Sequence, residues 1–182
     1  VGSGRTLTLK WLKLTGGSQS SGSGGSIYVY GTGSTLHATS CVFFLNTAGY
    51  GGVVYNEYGS LLIQDSIIAN NTAVNGGGGI SQWFGTATII RSLISRNRQT
   101  YTGTHASRGG GGVYIAYNAV LTVRETTIEH NRAGTNKGHQ IMAYKRNSNG
   151  GAPAVTVVNT RFINCTACET TGTNFYLYDH DT

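Results

Sequence analysis

Acidic residues are scarce, with three Asp and four Glu in 182 residues, and the formal net charge of +6 comes from that scarcity rather than from basic runs. No Lys/Arg cluster forms a nucleic-acid footprint. No apolar stretch approaches the roughly 20 residues of a membrane helix, which excludes membrane insertion of that kind. The five His (His37, His105, His130, His139, His180) are scattered, with neither HxH nor HExxH spacing. The Gly runs at Gly76–Gly79 and Gly109–Gly112 are followed by no helix and no Lys, so they are not phosphate loops. Proline occurs once, at Pro153, whereas Gly occurs 28 times. With apolar residues still at 38% and regularly spaced, that composition reads as ordered turns rather than a disordered linker.

What is present is a repeat. The stretch GGVVYNEYGSLLIQDSIIANN, residues 51–71, opens on a Gly pair, passes through two β-rich segments separated by Gly59-Ser60, and closes on Asn. Gly pairs recur at Gly24-Gly25, Gly51-Gly52, Gly78-Gly79 and Gly111-Gly112, with a degenerate Gly138-His139. A second marker, apolar-x-x-Asn, keeps step with them: Phe43 with Asn46, Ile68 with Asn71, Ile94 with Asn97, Ile128 with Asn131. In the fifth copy Cys165 follows Phe162 at that spacing. The period is about 27 residues, and a fixed period of 20–50 residues signals a solenoid or similar array.

Runs rich in β-branched and aromatic residues, broken by Gly or Asn and without helical periodicity, argue for an all-β chain. Two or three short strands per repeat fit one coil of a right-handed parallel β-helix, whereas a propeller blade needs about 40 residues. The expected molecule is a single domain over residues 1–182, with about six coils stacked to roughly 30 Å. The opening Val1-Gly2-Ser3-Gly4 does not read as a signal peptide and leads almost directly into a strand, so a processed or partial chain with open end coils is expected. Extra residues after Asn97 (RQTYTGTHASRGG) and at KRNSNGGAP must bulge from the stack.

In a stack, equivalent residues form columns. Three before the apolar marker stand Asp65, Arg91 and Glu125, expected to form an outward charge ladder of alternating sign. Six after the first Gly come Tyr30, Glu57, Phe84, Tyr117 and Tyr144, an aromatic ladder that Tyr178 continues. Asn46, Asn71, Asn97 and Asn131 read as a turn ladder, because Asn tolerates left-handed backbone and its amide can bond the next Asn along the stack. The Thr-x-Thr pairs Thr6/Thr8 and Thr86/Thr88 are expected in different columns, which argues against a flat Thr array of the ice-binding kind.

The Gly pair followed by apolar residues (Gly51-Gly52-Val53-Val54, Gly78-Gly79-Ile80, Gly111-Gly112-Val113), together with Phe43-x-x-Asn46, resembles the repeats of polymorphic outer membrane proteins. It is also similar to the wider pectin-lyase-like β-helix class. The resemblance implies a surface-exposed or secreted, often adhesive protein.

Lyases and hydrolases of that fold use acidic clusters, for which the chain offers only Asp65 and Glu125 with Arg91 between them. Such an arrangement keeps both acids ionised rather than tuning one upward, so no catalytic set, metal site or cofactor is expected. Cys41 lies four repeats from the CxxC pair Cys165 and Cys168; that pair could close a local disulfide, but Cys41 is too distant to join either. Sequons at Asn70 and Asn164 share one mostly polar column and would carry glycans if the source is eukaryotic. The leading expectation is an extracellular structural repeat, a segment of a fibre, filament or adhesin that associates with itself or with neighbouring β-helix subunits. The competing one is a protein that binds or cleaves polysaccharide, with Trp83, Tyr101 and Tyr117 stacking on sugars.

Overall fold

The computed structural model describes residues 1–105, 107–135, 137–145, 151–163 and 175–178. Every coil has four faces. The first face carries the parallel strands Thr6–Lys10, Thr35–Thr39, Ser60–Gln64, Thr86–Ile90, Val120–Arg124 and Ala154–Val158. The second face carries Lys13–Thr15, Val42–Phe44, Ile67–Ala69, Leu93–Ser95, Thr127–Glu129 and Arg161–Ile163. The third carries Ser18–Ser23, Thr47–Tyr50, Thr72–Gly76, Arg98–Gln99 and Arg132–Ala133. The fourth carries Ile27–Tyr30, Val54–Glu57, Ile80–Trp83, Val113–Ala116, Ile141–Tyr144 and Phe175–Tyr178. The chain is thus an all-β parallel β-helix, its described residues forming six coils with four strands in each of the first five, where two or three were expected.

The corners between faces are single residues in left-handed backbone. Asp65, Arg91 and Glu125 (φ 50, 45 and 50°) turn the chain from the first face to the second, and Leu45, Asn70, Arg96 and His130 (φ 56, 56, 53 and 53°) turn it to the third. Gly51, Gly77 and Gly110 (φ 58, 64 and 71°) make the turn to the fourth, and Tyr58, Phe84 and Tyr117 (φ 71, 57 and 59°) the turn back to the first. The second Gly of each pair is required by contact rather than by φ. A Cβ on Gly52 would stand 2.1 Å from the carbonyl oxygen of Gly78 in the next coil, a separation no side chain can occupy.

Between corners the strands alternate, as period-2 geometry demands. Ser60–Gln64 reads exposed, buried, half-buried, buried, half-buried, with Leu61 and Ile63 inside. The apolar marker residues Phe43, Ile68, Ile94 and Ile128 stack fully buried on the second face, and Leu36, Ile63, Ile89, Ile80 and Ile141 fill the remaining core. Truncating any of these Ile to Ala would cost about 2–5 kcal/mol.

Two polar ladders run up the inside of the corners. In the first, the amide N–H of Asn46 donates to Asn71 Oδ1 (2.9 Å), that of Asn71 to Asn97 Oδ1 (3.0 Å) and that of Asn97 to Asn131 Oδ1 (2.8 Å). The side-chain amides also donate along the stack, Asn46 to Asn71 (3.0 Å), Asn71 to Asn97 and Asn97 to Asn131 (both 2.9 Å), until Asn131 donates to Gln140 Oε1 (2.6 Å). Left-handed backbone falls on the residue before each Asn, not on the Asn itself, which corrects the expectation; the corner is thereby free to accept Leu, Arg or His while the Asn points inward.

The second ladder, at the preceding corner, was not expected. Cys41 N–H donates to Ser66 Oγ (3.0 Å), Ser66 N–H to Ser92 Oγ (3.1 Å) and Ser92 N–H to Thr126 Oγ1 (3.3 Å). Each hydroxyl donates in turn to the carbonyl two residues earlier, Ser66 to Gln64, Ser92 to Ile90, Thr126 to Arg124 and Thr160 to Val158. Cys41 is a free, buried thiol in a hydroxyl position, its Sγ 3.3 Å from the Thr39 carbonyl.

The register also corrects two expected columns. Gly runs in the fourth and fifth coils allow two frames, and the backbone uses Gly77-Gly78 and Gly110-Gly111, one residue earlier than the pairs chosen from sequence. The column through Tyr30 is therefore Tyr30, Glu57, Trp83, Ala116, Tyr144 and Tyr178, while Phe84 and Tyr117 belong to the next column with Tyr58. Both Thr-x-Thr pairs stand in the same columns of the first face: Thr6, Thr35, Ser60 and Thr86 align, as do Thr8, His37, Leu62 and Thr88. His37 and Leu62 interrupt the second of these.

Candidate functional site: an aromatic cleft on the fourth face

The outward residues of the fourth face are concentrated aromatics. One column runs Tyr28, Tyr55, Ser81, Tyr114, Met142, Tyr176 and its neighbour runs through Trp83 and Tyr144. Ring contacts connect them across coils: Tyr28 to Tyr55 (centroids 5.2 Å), Tyr55 to Trp83 (5.6 Å) and Trp83 to Tyr117 (5.2 Å). Tyr58, Phe84 and Tyr117, side by side at the left-handed corner, stack nearly face to face with centroids 4.5 Å apart at each step.

The insertion after Asn97 folds over this face. Gln99 Nε2 donates to the carbonyls of Val74 (2.8 Å) and Tyr101 (3.3 Å), which anchors the start of the insertion. Its end is held where Gly109 N–H donates to the Asn75 carbonyl (3.3 Å) and Thr135 Oγ1 donates to the Arg108 carbonyl (3.0 Å). Arg108 is thereby set against the face: its guanidinium lies 5.3 Å from the Tyr50 ring centroid and 5.7 Å from that of Tyr101, and its Nη1 donates to the Tyr50 hydroxyl. His105 Nδ1 stands 2.9 Å from Ser107 Oγ beside it.

These residues enclose a cleft of about 260 Å³ lined by Tyr50, Trp83, Tyr114, Tyr117, Tyr144, His105, Ser107 and Arg108. Ser81, the one small residue between Tyr55 and Tyr114 in its column, is fully buried beneath this face. Tyr114 is almost wholly buried, and that burial pushes its phenol well above the ordinary tyrosine range; Tyr55 is raised for the same reason. These two phenols are therefore neutral at physiological pH and act as hydrogen-bonding groups and ring surfaces, not as bases. Among the described residues no Asp or Glu lines the cleft. Glu57, in register with Trp83, accepts from the Tyr28 hydroxyl at 2.8 Å instead.

The other singled-out residues lie elsewhere. Arg91 Nε donates to Asp65 Oδ1 (2.8 Å) and its Nη2 to Oδ2 (3.1 Å) on the exposed first corner, which holds the Asp65 carboxyl below its usual range. Glu125, one coil further, makes no ion pair among the described residues but still acts on Arg91 through its charge, so within the expected ladder only the Asp65–Arg91 step is a bonded pair. Asn70 is a half-buried corner residue. Asn164, Cys165 and Cys168 lie outside the described residues, as does the side chain of Tyr178. Among the described residues no three His, Cys, Asp or Glu side chains converge as metal ligands.

Of the three aromatics singled out for sugar stacking, Trp83 and Tyr117 meet in the cleft and Tyr101 packs on Arg108. Tyr50, Tyr114 and Arg108 were not anticipated. The sequence signal for Tyr114 was available, since it stands in register with Ser81 and Met142; Arg108 sits in an insertion with no equivalent in other coils, where no column could find it.

Parallel coils with left-handed corners and internal amide and hydroxyl ladders place the molecule in the class of parallel β-helices carrying a surface cleft. The chain belongs to the right handed beta helix family, whose described region matches residues 25–181. No curated protein and no solved structure matches it.

Proposed function

We propose that this β-helix is a carbohydrate-binding surface module that presents the fourth-face cleft to a glycan. The observation that carries the reading is the cleft itself: ring faces of Trp83 and Tyr117, phenols of Tyr50, Tyr114 and Tyr144, and an Arg, on a rigid scaffold. Ring surfaces set among several polar groups, as the four Tyr, His105, Ser107 and Arg108 supply here, give a site both contact area and fixed hydrogen-bonding directions. Aromatic rings suit a sugar because they present flat apolar area at low entropic cost while their hydroxyls bond the ring substituents. An extracellular or cell-surface location, which the resemblance of the repeats implies, belongs to the same proposal.

The test is a fluorescence titration of neutral and charged oligosaccharides against a Trp11→Phe variant, which leaves Trp83 as the sole tryptophan. Saturable change in Trp83 emission is expected, with at least a tenfold loss of affinity by calorimetry in Trp83→Ala, or about 1.4 kcal/mol. Unchanged emission with every oligosaccharide, alongside filaments of the purified chain, would instead support the fibre reading.

A further inference from the structure

We infer that Tyr28 is a site of one-electron oxidation, with Glu57 as its proton acceptor, through which two copies of the chain are joined as dityrosine. The Tyr28 hydroxyl donates to Glu57 Oε2 at 2.8 Å, and the residue is 41% exposed. Neither residue lines the cleft. Partial burial and the bond to Glu57 hold the phenol above the ordinary tyrosine range, so at rest it keeps its proton. Loss of an electron from the ring makes the O–H strongly acidic, and the proton then crosses the existing hydrogen bond to the carboxylate. A phenol so placed gives up its electron more readily than one that must release its proton to water. Tyr58 supplies the comparison: it is 44% exposed, stacks on Phe84 and has no carboxylate bonded to its hydroxyl among the described residues.

The neighbouring rings lead to the same phenol. Trp83 contacts Tyr55 (centroids 5.6 Å), Tyr55 contacts Tyr28 (5.2 Å) and Tyr28 contacts Tyr30 (5.9 Å). The Nε1 of Trp83 is shielded from water without a hydrogen-bond partner, so an oxidised indole there cannot pass its proton on and draws an electron from the next ring instead. Of these four rings, Tyr28 is the one whose proton has a carboxylate in place to receive it. The oxidant is a haem peroxidase with hydrogen peroxide. Each Tyr28 loses one electron to it and one proton to Glu57. Two phenoxyl radicals then join by a carbon–carbon bond ortho to their oxygens, and the hydrogen on each joined carbon moves to the oxygen to restore the phenol. Two phenols and one peroxide thus give one dityrosine and two waters, with Glu57 returning its proton to the medium.

The experiment treats the purified chain with a haem peroxidase and hydrogen peroxide, reads dityrosine by its fluorescence and covalent dimer by denaturing electrophoresis, and maps the bridge by peptide mass spectrometry. A dimer bridged mainly from Tyr28 to Tyr28 is expected. Tyr28→Phe and Glu57→Gln should each lower its yield at least fivefold, whereas Tyr58→Phe should leave it unchanged. In Glu57→Gln the amide oxygen still accepts the hydrogen bond but takes no proton, and a circular dichroism spectrum matching the parent shows that the loss is not one of folding. Bridges spread over Tyr28, Tyr30 and Tyr58 in proportion to their exposure, or full yield in Tyr28→Phe or in Glu57→Gln, would overturn the inference. A monomer bridged between Tyr28 and Tyr30 would overturn the joining of two copies.

Discussion

Asn71 is the residue at which the account of stability can be tested most severely. Its side chain is fully buried and makes five hydrogen bonds. Oδ1 accepts from the backbone N–H of Asn46 (2.9 Å) and from Asn46 Nδ2 (3.0 Å); Nδ2 donates to Asn97 Oδ1 (2.9 Å) and to the carbonyls of Phe43 (3.1 Å) and Ala69 (3.0 Å). Asn71→Ala removes all of them and strands at least the Asn46 amide, since Asn46 Nδ2 retains the Leu14 carbonyl and Asn97 Oδ1 retains the Asn71 backbone N–H. A buried group left without a partner costs about 1–3 kcal/mol, so the stranded Asn46 amide alone gives a loss of about 1–3 kcal/mol. That is a measurable share of the ~5–15 kcal/mol of a typical domain. Asn71→Asp should be no better at neutral pH, because a carboxylate would face three acceptor oxygens, and it should recover partly as acid protonates it. Urea unfolding followed by circular dichroism measures both, with the slope checked because repeat arrays can lose cooperativity. A loss below about 1 kcal/mol for Asn71→Ala would refute the reasoning.

Gly52→Ala should cost more than about 3 kcal/mol or prevent folding, because its Cβ would stand 2.1 Å from a backbone oxygen that cannot retreat without parting two coils; soluble yield and melting temperature report it. His139 should make the molecule acid-sensitive. Burial, with a smaller contribution from Arg132, depresses its folded pKa, and Nδ1 accepts from the Ala133 N–H at 2.9 Å. Its contribution is thus present above the unfolded value near 6.5 and lost as pH falls through the lower folded value, seen as faster hydrogen exchange at Ala133 after correction for intrinsic rates. Asp65→Asn should leave the urea midpoint at neutral pH almost unmoved, because the pair with Arg91 is solvent-exposed. In the wild-type chain the contribution of Asp65 is present above the unfolded carboxyl value near 3.9 and fades below it, so any difference between the two chains should narrow in acid.

The fold was legible because two markers, the Gly pair and apolar-x-x-Asn, each answer a constraint that recurs once per coil. One is the close approach at Gly52, the other the inward amide of residues such as Asn71. The aromatic columns were misread where the first marker is ambiguous: in a run of four glycines only backbone conformation tells Gly77 from Gly78 as the corner, and a slip of one residue moves Phe84 into the place of Trp83. The hydroxyl ladder could have been read, because Cys41, Ser66, Ser92, Thr126 and Thr160 all precede the apolar marker by two. Its mixed composition concealed a shared task. Half of the cleft was beyond reach for a different reason. Trp83 and Tyr117 follow from strand and corner positions, but Arg108 arrives through an irregular insertion whose path is set by contacts with Val74, Asn75 and Thr135 rather than by the repeat.

The measurement closest to the central claim is hydrogen exchange, read by mass spectrometry, with and without an oligosaccharide that changes Trp83 emission. The account predicts slowed exchange confined to the insertion around residues 100–109 and to the strands Ile80–Trp83 and Val113–Ala116, with the first and second faces unchanged. Protection centred on the first face, or none at the insertion under saturating ligand, would contradict the assignment of the fourth-face cleft as the binding site.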